Sequence, residues 1–141
     1  MAVETHRLHV DTKGGCQVVD LTGRVEDALA NGTVRDGVAT VFVVGSTASI
    51  STMEFEPGLV QRDLAVAYER IAPEGETYLH EQTWRDDNGH SHVRATLTGP
   101  SIAVPLVEGR LTLGRWQQIV LIDFDTRPRR RDVVVQVVGD A

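Results

Sequence analysis

The sequence predicts an α+β fold, with a largely antiparallel β-sheet or sandwich of about seven or more strands and two helices. Strand-like segments follow one another along the chain with two helical patterns between the early ones, which is typical of α+β rather than doubly wound folds. The 141 residues are 41% hydrophobic and 24% charged, which fits one globular domain with its own core. No linker or repeat divides the chain, so residues 1–141 form one predicted domain.

The chain opens with two predicted strands and a short helix. Residues 7–12 alternate between apolar and polar, and residues 17–21 form a second strand-like run after two glycines. Together these runs predict an opening hairpin. Thr22 is a candidate N-cap for a helix that stops before Gly32.

A buried strand and the main helix follow. Residues 38–44 are continuously apolar and rich in β-branched side chains, which predicts a central strand buried on both faces. Residues 59–71 place apolar side chains at helical spacing and are closed by Pro73, which predicts the main helix.

From residue 79 onward the pattern predicts strands alone. The candidate strands cover residues 90–98, 102–107, 116–123 and 132–138, with a turn at Glu108-Gly109. The second half is therefore expected to be almost entirely β.

Charge and cysteine content exclude several classes of function. Fourteen basic against twenty acidic residues give a formal charge of −6, the opposite of a surface that follows nucleic-acid phosphates. Lys13 is the only lysine, and the remaining cations are arginines, which suit a small anionic ligand. No apolar run approaches the roughly 18 residues of a membrane span, and no signal peptide begins the sequence. One cysteine, Cys16, indicates a reducing, cytoplasmic location.

The densest polar cluster lies between residues 78 and 92 and holds three of the five histidines. On a strand, His90, His92 and Arg94 would project from one face. With His80 they could form a three-nitrogen metal site, or one imidazole could carry protons near neutral pH. The alternative is an exposed polar face at the start of a strand.

Two further groups of polar residues are candidates for ligand binding. Ser46 and Thr47 follow the predicted buried strand, where their backbone and hydroxyl groups could bind an anion or simply cap a turn. Glu54 lies beyond them and could orient a histidine, bind a cation or accept a proton. Gln117 could bind a ligand amide or contact a subunit, and the arginine-rich residues 126–131 could form a solvated turn or an anion clamp at a subunit boundary.

Several of these segments resemble the YjbQ-like family, whose members are often labelled secondary thiamine-phosphate synthases. The matching motifs are GSTA at 45–48, EFEPGL at 54–59, DNGHSH at 87–92, LTGPS at 97–101, VP at 104–105, EGRLTLGRWQ at 108–117 and DFD at 123–125. The likeness covers about residues 38–139. It implies a compact, largely antiparallel α+β domain, commonly assembled as a trimer, with the histidine-rich segment near a subunit boundary.

The family pattern transfers position by position, with one departure. It matches at Glu54, His80, Asp87, Asn88, His90, His92, Gly114, Trp116 and Gln117. Many members begin the first motif with histidine where this chain has Gly45, so any role of that imidazole is absent here.

The sequence and the resemblance together predict a small-molecule enzyme with secondary thiamine-phosphate synthase activity, which joins a pyrimidine pyrophosphate to a thiazole phosphate. The alternative is a non-catalytic, oligomeric metal- or ligand-binding module. The expected partners are a small anionic or phosphorylated metabolite and two further copies in a homotrimer.

Each candidate residue has a predicted role, and we expect His80, His90, His92 and Glu54 to face one cavity. The predicted catalytic residues are Glu54, Asp87, His90 and His92. The predicted substrate-binding residues are Ser46, Thr47, Asn88, Arg94, Arg115 and Gln117. The predicted ligands of a divalent ion, Zn²⁺ or Mg²⁺, are His80, His90 and His92.

Overall fold

Two antiparallel sheets and four helices make up the computed structural model, which describes residues 1–141. The strands are β1 (Ala2–Thr12), β2 (Gln17–Asp20), β3 (Asp36–Val44), β4 (Ala48–Met53), β5 (Ser101–Val107), β6 (Arg110–Leu111), β7 (Gln118–Asp123) and β8 (Arg129–Asp140). The helices are α1 (Thr22–Ala30), α2 (Leu64–Ile71), α3 (Leu79–Trp84) and α4 (Gly89–Thr98), and a π-helical turn at Leu59–Asp63 leads into α2. The predicted α+β class is confirmed.

The five-stranded sheet has the order β1-β8-β3-β5-β6, and the three-stranded sheet has the order β2-β7-β4. The main core holds 17 buried residues from both sheets and α1, including Val41, Val133 and Leu121. A smaller core of six residues, with Phe124 among them, lies on the other side of the three-stranded sheet, where side chains of α2 and the π turn pack against it. The three-stranded sheet is therefore covered on both faces.

The sequence predicted that β3 is buried on both faces. In the structure it is β7 that is buried on both faces. In β3, Val41 and Val43 are fully buried, whereas Val38, Phe42 and Val44 are 45%, 40% and 50% exposed on the outer face of the five-stranded sheet. In β7 every residue from 119 to 123 is buried. The uninterrupted apolar run in β3 thus leaves an exposed apolar surface.

The predicted opening hairpin is wrong. β1 pairs with β8 and β2 pairs with β7, so the first two strands lie in different sheets. Gly14, Gly15 and Cys16, all with left-handed φ of 66–82°, carry the chain between the sheets. At Gly14 a Cβ would lie 2.3 Å from the Asp125 carbonyl oxygen, so only glycine fits this approach.

The segments 79–84 and 90–98 are helices α3 and α4, which corrects the prediction of strands there. The buried positions of α4 include His90, Ser91, Arg94 and Ala95, which is one face of a helix. Three of these side chains are polar, so hydrophobic periodicity could not reveal the helix. Gly99, at φ 94°, and the following Pro100 end it.

Other local predictions are confirmed. The predicted helix over residues 59–71 forms as the π turn followed by α2. The turn between β5 and β6 has left-handed φ at both Glu108 and Gly109, the geometry of a tight hairpin. The predicted helix α1 forms, but Thr22 as its N-cap is wrong: Leu21 is the N-cap residue, and the Thr22 hydroxyl accepts a hydrogen bond from the Ile119 N–H. The longest helix has ten residues, and no helix is long and apolar enough to cross a membrane.

Candidate acid–base site at one end of the sandwich

Helix α4 separates the two histidines that the sequence placed together. Residues two apart on an α-helix are rotated by about 200°, so His90 and His92 leave opposite sides of α4. His92 lies against His80, with ring centroids 4.3 Å apart. The expectation that both histidines share one face is therefore wrong. No group of three His, Cys, Asp or Glu side chains is arranged to hold a metal ion, so the predicted three-histidine site does not fit this geometry.

The His92 side of α4 carries a cluster that we call the His92 site: His80, Asp86, Asn88, His92 and Asp125. Nε2 of His80 is 3.3 Å from Oδ2 of Asp86. The buried Asn88 amide lies between them, and with its nitrogen turned towards them it donates to Asp86 Oδ2 at 3.1 Å and to His80 Nε2 at 3.0 Å. In the opposite orientation of the amide, the same nitrogen donates instead to Asp125 Oδ1 at 3.4 Å. Asn88 thus positions the imidazole of His80.

Asp125 supplies a fixed negative charge to this site. Burial raises the pKa of its carboxyl group, but hydrogen bonds from the Thr126 N–H, the Thr47 hydroxyl and the Arg129 guanidinium outweigh burial and bring the pKa to about 2. The donor distances are 2.7 Å, 2.8 Å and 2.9 Å respectively. The carboxylate is therefore ionised throughout the neutral range.

His92 is neutral at pH 7. Burial lowers its pKa below the ordinary 6.5, and the neighbouring His80 lowers it further. Asp125, Asp86 and a backbone hydrogen bond with Ser46 favour the protonated ring but do not reverse the shift. A neutral imidazole beside a fixed carboxylate can accept a proton, and the carboxylate then stabilises the imidazolium.

Cations and acids surround a shallow groove of about 480 Å³ next to the His92 site. It is lined by Arg85, Asp86, Asp87, Thr126 and Arg127. Asp87, a predicted catalytic residue, is exposed and accepts a hydrogen bond of 2.7 Å from the Thr126 hydroxyl. The two arginines can bind a phosphate while Asp86 remains next to His80.

A buried network of ion pairs and hydrogen bonds lies next to Asp125. Arg131 donates through Nε and Nη2 to the two oxygens of Asp123, at 2.7 Å and 3.0 Å, and also through Nη2 to the Thr47 hydroxyl at 2.7 Å. The Thr12 hydroxyl donates to Asp123 at 2.6 Å. The network joins β1, β7, β8 and the start of β4. The Thr47 hydroxyl is thus bonded to Asp125 and Arg131 within the protein.

The sequence predicts no site role for Asp125, or for Asp123, Arg129 and Arg131 individually, although they belong to the DFD motif and to the arginine-rich residues 126–131. One signal was present, because Arg131 continues the inward-facing row of Val133 and Val135 along β8. A charged residue in that row predicts a buried partner.

The opposite side of α4 faces a second cavity of about 310 Å³, which we call the Cys16 cavity. It is lined in part by Cys16, Glu69, His90 and Arg94, and Asp125 of the His92 site also borders it. His90 is 3% exposed, its Nδ1 has no hydrogen-bond partner, and burial followed by the charge of Arg94 lowers its pKa. Burial raises the pKa of the Cys16 thiol, so the thiolate that a nucleophile needs is disfavoured at neutral pH.

Arg94 is held within this second cavity. Its Nη2 donates to Glu69 Oε2 at 2.8 Å and its Nε to the Ala72 carbonyl at 3.0 Å. The predicted substrate-binding arginine therefore lies on the His90 side of α4, away from His92.

Glu54, Arg115 and Gln117 lie at the far end of the three-stranded sheet. Residue 53 pairs with residue 118, whereas residue 48 pairs with Asp123 beside the His92 site. The two ends are about 17 Å apart along β7. Within one chain, the predicted cavity shared by Glu54 and the histidines is not formed.

At this far end the polar side chains bond to one another. Gln117 donates from Nε2 to the Thr52 hydroxyl at 3.0 Å, and its Oε1 accepts from the Gly114 N–H at 3.1 Å. The Arg115 guanidinium lies 4.8 Å from the centre of the Trp116 ring. Trp116 is 63% exposed, so this end presents an aromatic and cationic surface to its surroundings.

Comparison with known proteins extends these findings. A family model described as UPF0047 protein YjbQ-like matches residues 6–140. A UPF0047 protein of Archaeoglobus fulgidus is 34% identical over 131 residues, 93% of this chain and 98% of that protein. A hypothetical protein from Aeropyrum pernix K1 is 34% identical, with a TM-score of 0.89 over 97% of this chain and 99% of that one. A YbjQ-like protein of unknown function from Sulfolobus solfataricus P2 is 28% identical, with a TM-score of 0.87 over 99% of this chain and 100% of that one.

Proposed function

This chain belongs to the UPF0047 protein YjbQ-like family, and from that membership and the site we propose that it is an enzyme acting on a small phosphorylated metabolite. The observation that carries the proposal is a neutral His92 packed against His80, with ring centroids 4.3 Å apart, beside the ionised Asp125. Titratable groups whose pKa values are moved apart by burial and by specific partners are typical of catalytic sites.

In this proposal His92 is the proton acceptor. A substrate N–H or O–H group at the His92 site transfers its proton to the imidazole, and the electron pair released attacks the electrophile. Asp125 stabilises the resulting imidazolium, while Asn88 and Asp86 hold His80 in place. Arg85 and Arg127 bind the phosphate of the substrate from the adjacent groove.

The first reaction to test is the one that the family resemblance implies. In thiamine-phosphate synthesis the lone pair of the thiazole nitrogen forms a bond to the pyrimidine methylene carbon, and the carbon–oxygen bond to pyrophosphate breaks. The thiazole nitrogen carries no proton, so this reaction uses the groove arginines and does not need His92 as a base. The departing pyrophosphate takes the electron pair of that bond and must be neutralised. The two groove arginines support this assignment because they are cations that can receive such a leaving group.

The assay supplies the purified chain with the pyrimidine pyrophosphate and the thiazole phosphate, with and without divalent ions. We expect thiamine phosphate, detected by chromatography, to accumulate together with pyrophosphate. Phosphate monoesters are tested in parallel by phosphate release. Absence of turnover with every substrate class would favour the non-catalytic ligand-binding alternative.

We also propose that three copies assemble through the outer face of the five-stranded sheet. In register across four strands lie Val3, Val138, Val38 and Pro105, and Phe42 lies beside Val134 in a parallel row. None of these six side chains is charged, although a polar row of Thr5, Gln136 and Thr40 lies between the two apolar rows and Arg7 continues the row of Phe42. Monomers seldom leave this many apolar side chains exposed on one sheet face. A cyclic trimer joins this face to a different surface of its neighbour, for which Val93 and Leu97, both exposed on α4, offer apolar area.

Sedimentation velocity measures the assembly. We expect a species of three times 15.4 kDa for the native chain, and monomers for Phe42→Glu, since a charge would be buried at the interface. Gln61→Glu, on the exposed π turn, is the matched control and should stay assembled. A monomeric native chain at micromolar concentration contradicts the trimer.

A further inference from the structure

Arg131 has one guanidinium nitrogen that no protein group uses. Its side chain is 93% buried, Nε and Nη2 are bonded to Asp123 and Thr47, and Nη1 has no hydrogen-bond partner. The buried side-chain atoms without a partner are Glu4 Oε2, His6 Nε2 and His90 Nδ1, so Nη1 of Arg131 is reached by solvent. A nearly buried cation thus presents a single free donor at the surface.

Gly45 is what leaves this donor open. A Cβ at position 45 would lie 2.8 Å from Nη1 and 3.9 Å from Cζ of Arg131. Gly45 also has φ of 145°, which L residues rarely adopt. Any side chain here would cover Nη1, so the missing side chain creates a notch over the guanidinium.

The same turn offers further donors. The backbone N–H groups of Gly45, Ser46 and Thr47 make no hydrogen bond to backbone acceptors, and no side chain accepts from them. Successive unpaired N–H groups in a turn are typical of anion-binding sites. The backbone of Ser46 bonds to His92, so the notch lies one residue from the imidazole of the His92 site.

Charge at the notch favours an anion. The carboxylate oxygens of Asp123 are committed to Arg131 and Thr12, and those of Asp125 to Thr47, Thr126 and Arg129. The negative charges of the two aspartates are balanced by the positive charges of Arg129 and Arg131. The groups that face the notch without a partner are N–H donors.

We propose that the notch between Gly45 and Arg131 Nη1 is a phosphate-binding subsite of the His92 site. It receives a terminal phosphoryl group, whose oxygens accept hydrogen bonds from Nη1 and from the N–H groups of the turn. The identity of the substrate at this subsite rests on the proposed function. The subsite adds Arg131 as a specificity residue, and Gly45 keeps the Arg131 Nη1 group accessible. A terminal phosphoryl group bound here lies next to His92, while Arg85 and Arg127 bind a second phosphate of the substrate in the outer groove.

Binding of inorganic phosphate and of inorganic pyrophosphate, measured by calorimetry on the full chain, tests the subsite. We expect both anions to bind the native chain and Gly45→Ala to weaken binding by about tenfold or more, because its methyl group covers Nη1. Gly99→Ala is the matched control: Gly99 also has a left-handed φ of 94°, but nothing lies within 4 Å of its Cβ. It should bind as the native chain does.

A second variant, Arg131→Lys, keeps the charge and removes Nη1, and we expect the same loss of phosphate binding in the folded protein. Native-like affinity in Gly45→Ala overturns the subsite, and so does an equal loss in Gly99→Ala or no binding by the native chain. Phosphate binding measured by calorimetry does not depend on whether the protein catalyses a reaction. His92→Ala should still bind phosphate, so failure of the catalytic proposal and failure of the subsite give different results.

Discussion

Replacing His92 by alanine is expected to lower kcat/KM by about 100-fold or more for a phosphorylated substrate whose reacting group carries an N–H or O–H proton. The reason is that His92 is the neutral imidazole next to the ionised Asp125, whereas the other imidazole of the site, His80, is held by Asp86 and Asn88. His92 is only partly buried, so its loss should cost little stability. The measurement is steady-state kinetics together with a thermal melt of each variant.

The pH profile sharpens this test. Neutral His92 is the active form and its pKa lies below 6.5, so kcat/KM should rise with pH through an apparent pKa below 6.5 and then level off. His9→Ala is the matched control, because His9 is a half-exposed histidine on β1 whose ring bonds only to Asp132. Full turnover in His92→Ala contradicts the proposal. Loss of turnover in His90→Ala alone would move the active site to the Cys16 cavity.

Elements fixed by neighbours in sequence could be predicted, whereas those fixed by distant partners could not. The turn at Glu108-Gly109 and helix α1 follow from local patterns, and both form where expected. The sequence predicts that β1 and β2 pair with each other because they are adjacent, but their partners lie 100 or more residues away in the sequence. No pattern within residues 1–21 carries that information.

The sequence predicted several residues of the His92 site correctly, but it did not predict how they are arranged. His80, Asn88 and His92 do meet, but a strand at residues 90–98 would have added His90, and the helix removes it. The error has a physical cause, because α4 buries His90, Ser91 and Arg94, and polar residues hide the helical period. The sequence predicts a solvated turn or an anion clamp for residues 126–131, whereas the alternation of β8 places Arg131 in the core.

Replacing Arg131 by methionine is expected to lower the free energy of unfolding by about 3–5 kcal/mol. The guanidinium is the only cation bonded to Asp123, whose carboxylate is fully buried, so the variant leaves an uncompensated charge in the core. Urea unfolding followed by circular dichroism measures the change. Arg130→Met is the matched control, because Arg130 precedes it on β8 but points to solvent, and the effect there should stay within about 0.5 kcal/mol.

The double variant Arg131→Met with Asp123→Leu separates charge from packing. If the cost of the single variant comes from an unpaired buried carboxylate, removing that carboxylate should restore much of the lost stability, since apolar replacements of a buried pair are often neutral. Recovery will be incomplete, because the Thr12 hydroxyl and the Asp125 N–H also donate to Asp123 and would lose their acceptor. Equal stability of the Arg130 and Arg131 single variants would show that the ion pair contributes nothing. A double variant less stable than Arg131→Met alone would show instead that Asp123 stabilises the fold through Thr12 and Asp125, independently of the arginine.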